Sequence, residues 1–277
     1  MKIMSRAALA AAVAVGAIVP ASANHSWGNY HWARSGTLSL KVNTAVTSAW
    51  ASYVDVAINT DWDGRSVLEL TAQPASASLA KKCSPMTGQL LVCNAAYGQR
   101  GWLGIATIWT DTQQHITAAT TKLNDSYYGS TSRYNTPAWR RLVACQEIGH
   151  DFGLAHQNEI FTNVNTGSCM DYTNAPAGGV LNGFNYGPSN EHPNAHDTEQ
   201  LNSIYNHSDS YSTNTASTNF GIRQVGKPVP EALPSPGDSP AEWGSPIHHD
   251  EHGRPDQFVR RLSSGGRMIT HVLWAPE

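Results

Sequence analysis

One predicted helix constrains the fold of this chain more than any other segment, because the sequence defines both of its ends. Pro137 suits the first helical position, since proline lacks the amide hydrogen that the start of a helix leaves unpaired. Thr136, just before it, can cap the first turn. Apolar residues at helical spacing continue to Ile148, and Gly153 is expected to end the helix. The fold must therefore pack this helix against a core.

Polar side chains near the end of this helix are spaced so that they converge. Gln146 and His150 are four residues apart and share one face, and Glu147 lies beside them. After Gly153 turns the chain, His156 can return toward the same point. The sequence thus predicts a cluster of one amide, one carboxylate and two imidazoles.

Such a cluster is typical of a zinc site that performs hydrolysis. Zinc takes neutral imidazole nitrogens in a tetrahedral arrangement and keeps one position for water. The metal lowers the pKa of that water and polarises a carbonyl group, while a neighbouring carboxylate serves as general base. We therefore expect Glu147 to be the catalytic base, and His150 and His156 to be zinc ligands.

The segment from Cys145 to His156 resembles the zinc-protease pattern His-Glu-x-x-His-x-x-Gly-x-x-His, with Gln146 in place of the first histidine. Residues 168–172, Ser-Cys-Met-Asp-Tyr, resemble the Met-turn of the metzincin clan of zinc endopeptidases. The resemblance spans residues 37–205. More narrowly, the block is similar to secreted, matrixin-like actinobacterial proteins in which Gln-Glu-x-Gly-His opens the motif.

The resemblance implies an α+β fold of the zincin and metzincin type, with a twisted mixed sheet packed on two helices. The active-site helix is then followed by a Met-turn subdomain, with Met170 beneath the metal and Tyr172 as a candidate to stabilise the transition state. The strand at Gly104 is similar to the edge strand that pairs with extended substrate. The implied activity is zinc-dependent cleavage of extended polypeptides.

Gln146 leaves the third metal ligand open, because an amide oxygen is a weaker zinc ligand than imidazole. Three interpretations are open: Gln146 ligates through its oxygen, another histidine completes the site, or the site binds no metal. The histidines considered are His192 and His196, and, near the mature N-terminus, His25 and His31. A site without catalysis would make the protein a secreted binding protein on the same scaffold.

The N-terminus predicts export. Lys2 and Arg6 precede an apolar run over residues 7–19, and Ala-Ser-Ala at 21–23 is typical of a cleavage site, so residues 1–23 are interpreted as a signal peptide. We expect a secreted, extracellular monomer. The whole chain has a formal charge of −3, with no long run of either sign, so nucleic acid and membrane surfaces are not expected as partners.

An even number of cysteines, four, in an exported chain favours disulfides. The alternative, a four-cysteine zinc site, lacks the Cys-x-x-Cys pair that is typical of such sites. A bridge between Cys83 and Cys93 would close a short loop. The resemblance to the Met-turn favours Cys145 with Cys169, because that bridge would fasten the helix to the turn.

Periodicity predicts further elements in the catalytic domain, which is expected over residues 24–210. Strands are expected at 37–42, 67–71 and 102–109, and helices around 50–58 and 115–127. Residues 211–255 are rich in Ser, Thr and Pro and are interpreted as a linker. Residues 256–277 predict a β-hairpin, which is expected to dock on the main domain because an isolated hairpin is marginally stable.

Overall fold

A computed structural model describes residues 25–214 and 232–276 of this chain. The predicted signal peptide, residues 1–23, lies outside the described residues. The fold is α+β, with one large mixed sheet and few helices. This agrees with the fold class expected from the sequence at the level of secondary structure.

The strands fall into one large sheet and one short separate hairpin. The large sheet contains β1 (His31–Trp32), β2 (Leu38–Ala45), β3 (Leu68–Pro74), β4 (Leu90–Ala95), β5 (Trp102–Thr110) and β6 (His115–Asn124). The separate hairpin is β7 (Val180–Leu181) with β8 (Phe184–Asn185). The C-terminal strands β9 (Ser245–His249), β10 (Pro255–Arg261) and β11 (Arg267–Trp274) complete the large sheet.

The order of strands across the sheet is β3-β2-β4-β6-β5-β11-β10-β9, and β1 pairs with the start of β6. Strand β2 runs parallel to β3 and β4, and β4 runs parallel to β6. From β6 onward each neighbouring pair is antiparallel. The N-terminal and C-terminal parts of the chain therefore meet where β5 pairs with β11.

Four α-helices are present in the described residues: α1 (Ser48–Val56), which continues into a π-helical segment (Ala57–Trp62), α2 (Pro137–His150), α3 (Ala195–Ile204) and α4 (Pro240–Trp243). Helix α2 begins as the sequence predicts, because the Thr136 side chain accepts a hydrogen bond from the Trp139 amide at 3.3 Å. It packs on β5, β6 and α1. Its whole second half is buried, which places the predicted cluster inside the protein.

The helix predicted around residues 115–127 is wrong, because this segment forms β6 in the middle of the sheet. Strand β6 pairs with β4 and β1 on one side and with β5 on the other, and almost all of its side chains are buried. A strand covered on both faces lacks the alternation of polar and apolar residues that marks a half-buried strand. The strands predicted at 37–42, 67–71 and 102–109 are present.

The C-terminal hairpin is present and joins the main sheet. Strand β11 pairs with β5 along its whole length, from Arg267 opposite Thr110 to Trp274 opposite Trp102. Strand β5 is therefore covered by β6 and β11, and the prediction of a free edge strand at Gly104 is wrong.

Part of the predicted linker is also folded. Residues Pro240–Trp243 form α4 and Ser245–His249 form β9, while residues 215–231 lie outside the described residues. The residues just before α4 are fixed to β6 by a largely buried ion pair, in which Lys122 Nζ lies 2.7 Å from Asp238 Oδ1. Part of the predicted linker is therefore helix and strand, and the prediction of a linker over residues 211–255 is wrong for that part.

Both expected disulfides are present, Cys83–Cys93 and Cys145–Cys169. The second joins α2 to the loop that holds Met170. Among the described helices, none combines the length and the apolar character needed to cross a lipid bilayer.

Candidate metal centre

Three buried histidines converge at the end of α2. His150 is the last residue of the helix, His156 follows the turn at Gly153, and His271 comes from β11. One ring nitrogen from each lies within 4.8 Å of the others. The ring centroids of His150 and His271 are 4.0 Å apart, and those of His156 and His271 are 4.5 Å apart. This cluster is the candidate metal centre.

Each histidine has one nitrogen held from outside the cluster. His150 Nδ1 lies 2.7 Å from the Leu154 carbonyl oxygen, and His156 Nδ1 lies 3.1 Å from Glu159 Oε1. A carbonyl oxygen only accepts, so His150 carries its proton on Nδ1 and leaves a lone pair on Nε2. Within the described part of the chain, His150 Nε2, His156 Nε2 and His271 Nδ1 make no hydrogen bond.

Such unpaired nitrogens fit a bound zinc ion. Zinc accepts neutral imidazole nitrogens, and its histidine ligands usually donate the other ring N–H to a carbonyl or carboxylate. Burial, with a smaller contribution from neighbouring histidines, lowers the pKa of His150 and His271 well below its usual value. These imidazoles are therefore neutral, which is the form that binds metal.

Glu147 lies beside the cluster with its carboxylate fully buried. Burial first, and the nearby Asp151 second, raise its pKa well above the usual value. The Ala106 amide lowers this pKa in part, although neither carboxylate oxygen makes a hydrogen bond of good geometry with the described residues. A Cβ added at Gly104 of β5 would lie 2.7 Å from Glu147 Oε1, so this glycine makes the space that the carboxylate occupies. Ala106 of β5, whose amide acts on Glu147, is paired with His271 of β11, so Glu147 of α2 faces the strands near His271.

Gln146 is buried and anchored to the loop over residues 169–171. Its Nε2 donates to the Cys169 carbonyl at 2.8 Å and to the Asp171 carbonyl at 3.3 Å. Its Oε1 has no hydrogen-bond partner among the described residues. The amide is therefore oriented by the backbone and keeps a free oxygen.

Met170 lies against the last turn of α2. A Cβ added at Gly149 would lie 2.5 Å from Met170 Sδ, so the helix and the methionine approach as closely as a glycine permits. Gly153 has φ +90°, and a Cβ there would lie 2.2 Å from the Tyr30 carbonyl oxygen. That backbone conformation favours glycine and lets the chain turn toward His156.

Tyr172 borders the cluster, but its hydroxyl group is engaged by the C-terminal strands. The hydroxyl donates to Asp256 Oδ2 at 3.1 Å and lies 3.3 Å from His271 Nε2. Burial and the nearby Asp256 raise the pKa of Tyr172 well above its usual value, so the phenol stays protonated. Its ring lies over His156, with centroids 4.2 Å apart.

Hydrogen bonds outside the cluster connect His156 to the C-terminal segment. Glu159 contacts His156 through Oε1, and its Oε2 lies 3.4 Å from His248 Nε2. His248 Nδ1 lies 2.7 Å from Asp256 Oδ1, and the other oxygen of Asp256 accepts from Tyr172. The C-terminal segment thus supplies one member of the cluster, and its His248 and Asp256 contact Glu159 and Tyr172, which in turn contact His156 and His271.

The other histidines considered from the sequence lie elsewhere. His192 is half-exposed and contacts Asp61, and His25 contacts Asp197. His196 lies on α3, with its ring against His25. His31 belongs to a second cluster, described below. None of these four histidines belongs to the candidate metal centre, where the third histidine is His271.

No protein-family model matches this chain, and no curated protein sequence matches it. The site therefore rests on its own geometry.

His271 was missed by the sequence analysis, although the sequence carries a weak signal for it. In β11, Ile269, His271 and Leu273 alternate with residues on the opposite face, and both neighbours belong to the main core. A histidine in a core-facing stripe needs a partner, because burying an unpaired polar group costs free energy. Which partner it finds depends on how β11 docks, and the sequence does not reveal that.

Proposed function

We propose that this protein is a secreted zinc-dependent endopeptidase of the metzincin type, held in a latent state by its own C-terminal hairpin. The observation that carries the proposal is the convergence of three imidazole nitrogens at the end of α2, beside the buried carboxylate of Glu147. Burying such groups costs free energy unless they are paired, so their accumulation at one point is typical of a functional site.

In the latent state, His150, His156 and His271 would hold the zinc ion. Once the hairpin is released and substrate has access, bound zinc would polarise the scissile carbonyl as a Lewis acid and acidify a water molecule. Glu147 would take a proton from that water and pass it to the departing amine. Tyr172 would stabilise the developing negative charge with its hydroxyl group, which the high pKa keeps protonated.

The hairpin explains why all these groups are inaccessible together. Strand β11 occupies the side of β5 where an extended substrate would pair, and it contributes His271. Asp256 of β10 holds the Tyr172 hydroxyl. Release of the hairpin would free β5, Tyr172 and one zinc position at once. The unpaired Oε1 of Gln146 would then serve as the third ligand in place of His271.

The test is cleavage of casein and of quenched fluorescent peptides by zinc-loaded Phe258→Ala, in which docking of the hairpin is weakened, and by the same protein with Glu147→Gln added. Zinc content is measured on the same samples. The substitution keeps the shape of the side chain and removes its basicity. We expect a rate about 10²–10⁴-fold lower in the variant, with zinc retained. Equal rates in the two proteins would contradict the proposal.

The complete burial of the site favours a second candidate function, a zinc-stabilised secreted binding protein in which His271 is a permanent ligand. Structural zinc sites are closed by four ligands, whereas catalytic sites keep an open position. In this case zinc would bind, but neither the wild type nor any variant with a loosened hairpin would cleave peptides.

A further inference from the structure

A second group of histidines lies away from the candidate metal centre and is not used by the proposed function. His31 of β1 and His115 of β6 are paired residues in the sheet. His207 and Asp209 follow α3 and reach the same place. Three segments that are distant in sequence therefore bring three imidazoles to one carboxylate.

The distances within this second cluster match those between the ligands of one small metal ion. Asp209 Oδ1 lies 3.4 Å from His115 Nε2, 3.5 Å from His207 Nε2 and 3.7 Å from His31 Nε2. His31 Nε2 and His207 Nε2 are 3.1 Å apart. Four ligands about 2.0–2.1 Å from a tetrahedral zinc ion lie about 3.3 Å from one another. These four separations fall near this value, and the ligand atoms of His31, His207 and Asp209 lie close enough together to share one ion.

In His31, His115 and Asp209, one side-chain polar atom makes a hydrogen bond outside the cluster. The other polar atom of each side chain therefore faces the cluster. His31 Nδ1 lies 2.8 Å from the Asn29 carbonyl oxygen, which only accepts, so the lone pair is on Nε2. His115 Nδ1 lies 2.5 Å from the Tyr211 hydroxyl. Asp209 Oδ2 accepts from the Arg34 amide at 2.9 Å, which turns Oδ1 toward the imidazoles. This is the pattern by which surrounding groups orient metal ligands.

We propose that His31, His207 and Asp209 bind a second zinc ion, with His115 beside Asp209 at 3.4 Å. Imidazole nitrogens with one carboxylate oxygen form a ligand set that suits zinc. A groove of about 330 Å³ lined in part by His31 and His207 gives the ion a route from solvent. The site would fasten the N-terminal segment to the loop after α3.

The ordinary alternative is a set of ion pairs in which protonated imidazoles surround Asp209 without metal. The two explanations differ in stoichiometry, because only the metal site takes up zinc that depends on these residues at neutral pH. His207 is the best position for a variant, since its side chain is 44% exposed and its loss leaves the core intact.

The experiment is a zinc titration of the untagged full chain after removal of metal, followed by isothermal calorimetry, with Co²⁺ absorption as a probe of tetrahedral geometry. The variants are His207→Ala and Asp209→Asn for the second site, and His271→Ala for the candidate metal centre. His196→Ala is the matched control, because it removes a partly exposed histidine of α3 that belongs to neither cluster. Circular dichroism melting confirms that each variant is folded.

We expect two equivalents of zinc in the wild type and in His196→Ala. His207→Ala and Asp209→Asn should each bind one equivalent tightly, with affinity for the other at least about 100-fold weaker. His271→Ala should weaken binding of the other zinc ion, the one at the candidate metal centre. If that centre binds no zinc, the loss of zinc in the two second-site variants can still be measured. Unchanged zinc uptake in both second-site variants, or an equal loss in His196→Ala, would overturn the proposal.

Discussion

At the residue scale, two glycines set how closely the parts of the candidate metal centre approach one another. Gly149 lets Met170 lie against α2, and Gly104 leaves room for the Glu147 carboxylate. A side chain at either position would overlap atoms that the site needs. These positions give a test of the site that does not alter a charged group.

Gly104→Ala should destabilise the protein and displace Glu147, because the new Cβ would lie 2.7 Å from both Cγ and Oε1 of that residue. Overpacking of a dense core costs about 1–3 kcal/mol. In a chain of this size, each kcal/mol lowers the melting temperature by about 2–4 °C. Gly129→Ala is the matched control, because a Cβ there would meet no described atom within 4 Å. Equal melting temperatures for the two variants would contradict the packing at Glu147.

Gln146→Ala and His271→Ala separate the two candidate third ligands. In the proposed latent enzyme, Gln146→Ala keeps zinc through three imidazoles and loses at least about tenfold in peptidase rate. His271→Ala binds zinc more weakly but keeps its activity when zinc is saturating. Zinc affinity and peptide cleavage are measured for both variants in the Phe258→Ala background, in which docking of the hairpin is weakened. If His271→Ala abolishes cleavage while Gln146→Ala does not, His271 is a permanent catalytic ligand.

At the element scale, the C-terminal hairpin pairs with β5 and contributes His271 to the candidate metal centre. The hairpin has two faces. One face carries His271 toward α2, and the opposite face buries Phe258 against Trp243, Trp102 and Ile105. The docking can therefore be weakened from the face that lies away from the metal centre. This arrangement separates the effect of hairpin release from damage to the site.

Phe258→Ala should raise the peptidase rate, because the cavity it leaves weakens docking of the hairpin by about 3–5 kcal/mol. Ile247→Ala is the control, since this side chain on β9 is 51% exposed. The measurement is cleavage of fluorescent peptides, together with hydrogen exchange of β11. A folded Phe258→Ala protein with faster exchange in β11 and no gain in cleavage would contradict the latent-enzyme proposal.

The elements show how far the sequence alone could lead. Helix α2 was predictable because Thr136, Pro137 and Gly153 act locally at its ends, and the same local spacing brings His150 near Glu147. Strand β6 was not predictable from periodicity, because both of its faces are buried. The position of His271 depends on its pairing with Ala106, a contact between residues far apart in the chain. Local patterns therefore predicted two of the three histidines of the cluster, and long-range pairing supplied the third.

At the scale of the whole molecule, zinc binding should be coupled to stability, because the candidate metal centre joins α2 to the C-terminal hairpin. A ligand that binds only the folded chain stabilises it by about 2.7 kcal/mol at a free concentration 100 times its dissociation constant. We expect the melting temperature of metal-free protein to rise with zinc concentration.

The matched comparison for this effect is the double variant His150→Ala and His156→Ala against His192→Ala, measured by scanning calorimetry. The second cluster remains intact in both proteins, so any rise that it causes is common to them. His192→Ala should show the larger rise, because it keeps the candidate metal centre. Equal rises in the two proteins would show that this centre binds no zinc.

The central claim is that His150, His156 and His271 hold zinc together in the closed protein. An anomalous difference map from crystals of the zinc-loaded full chain, collected on both sides of the zinc absorption edge, tests it most directly. We predict a peak bonded to His150 Nε2, His156 Nε2 and His271 Nδ1, with Glu147 beside it. A peak bonded to Gln146 Oε1 while His271 lies apart, or no peak at the end of α2, would contradict the account.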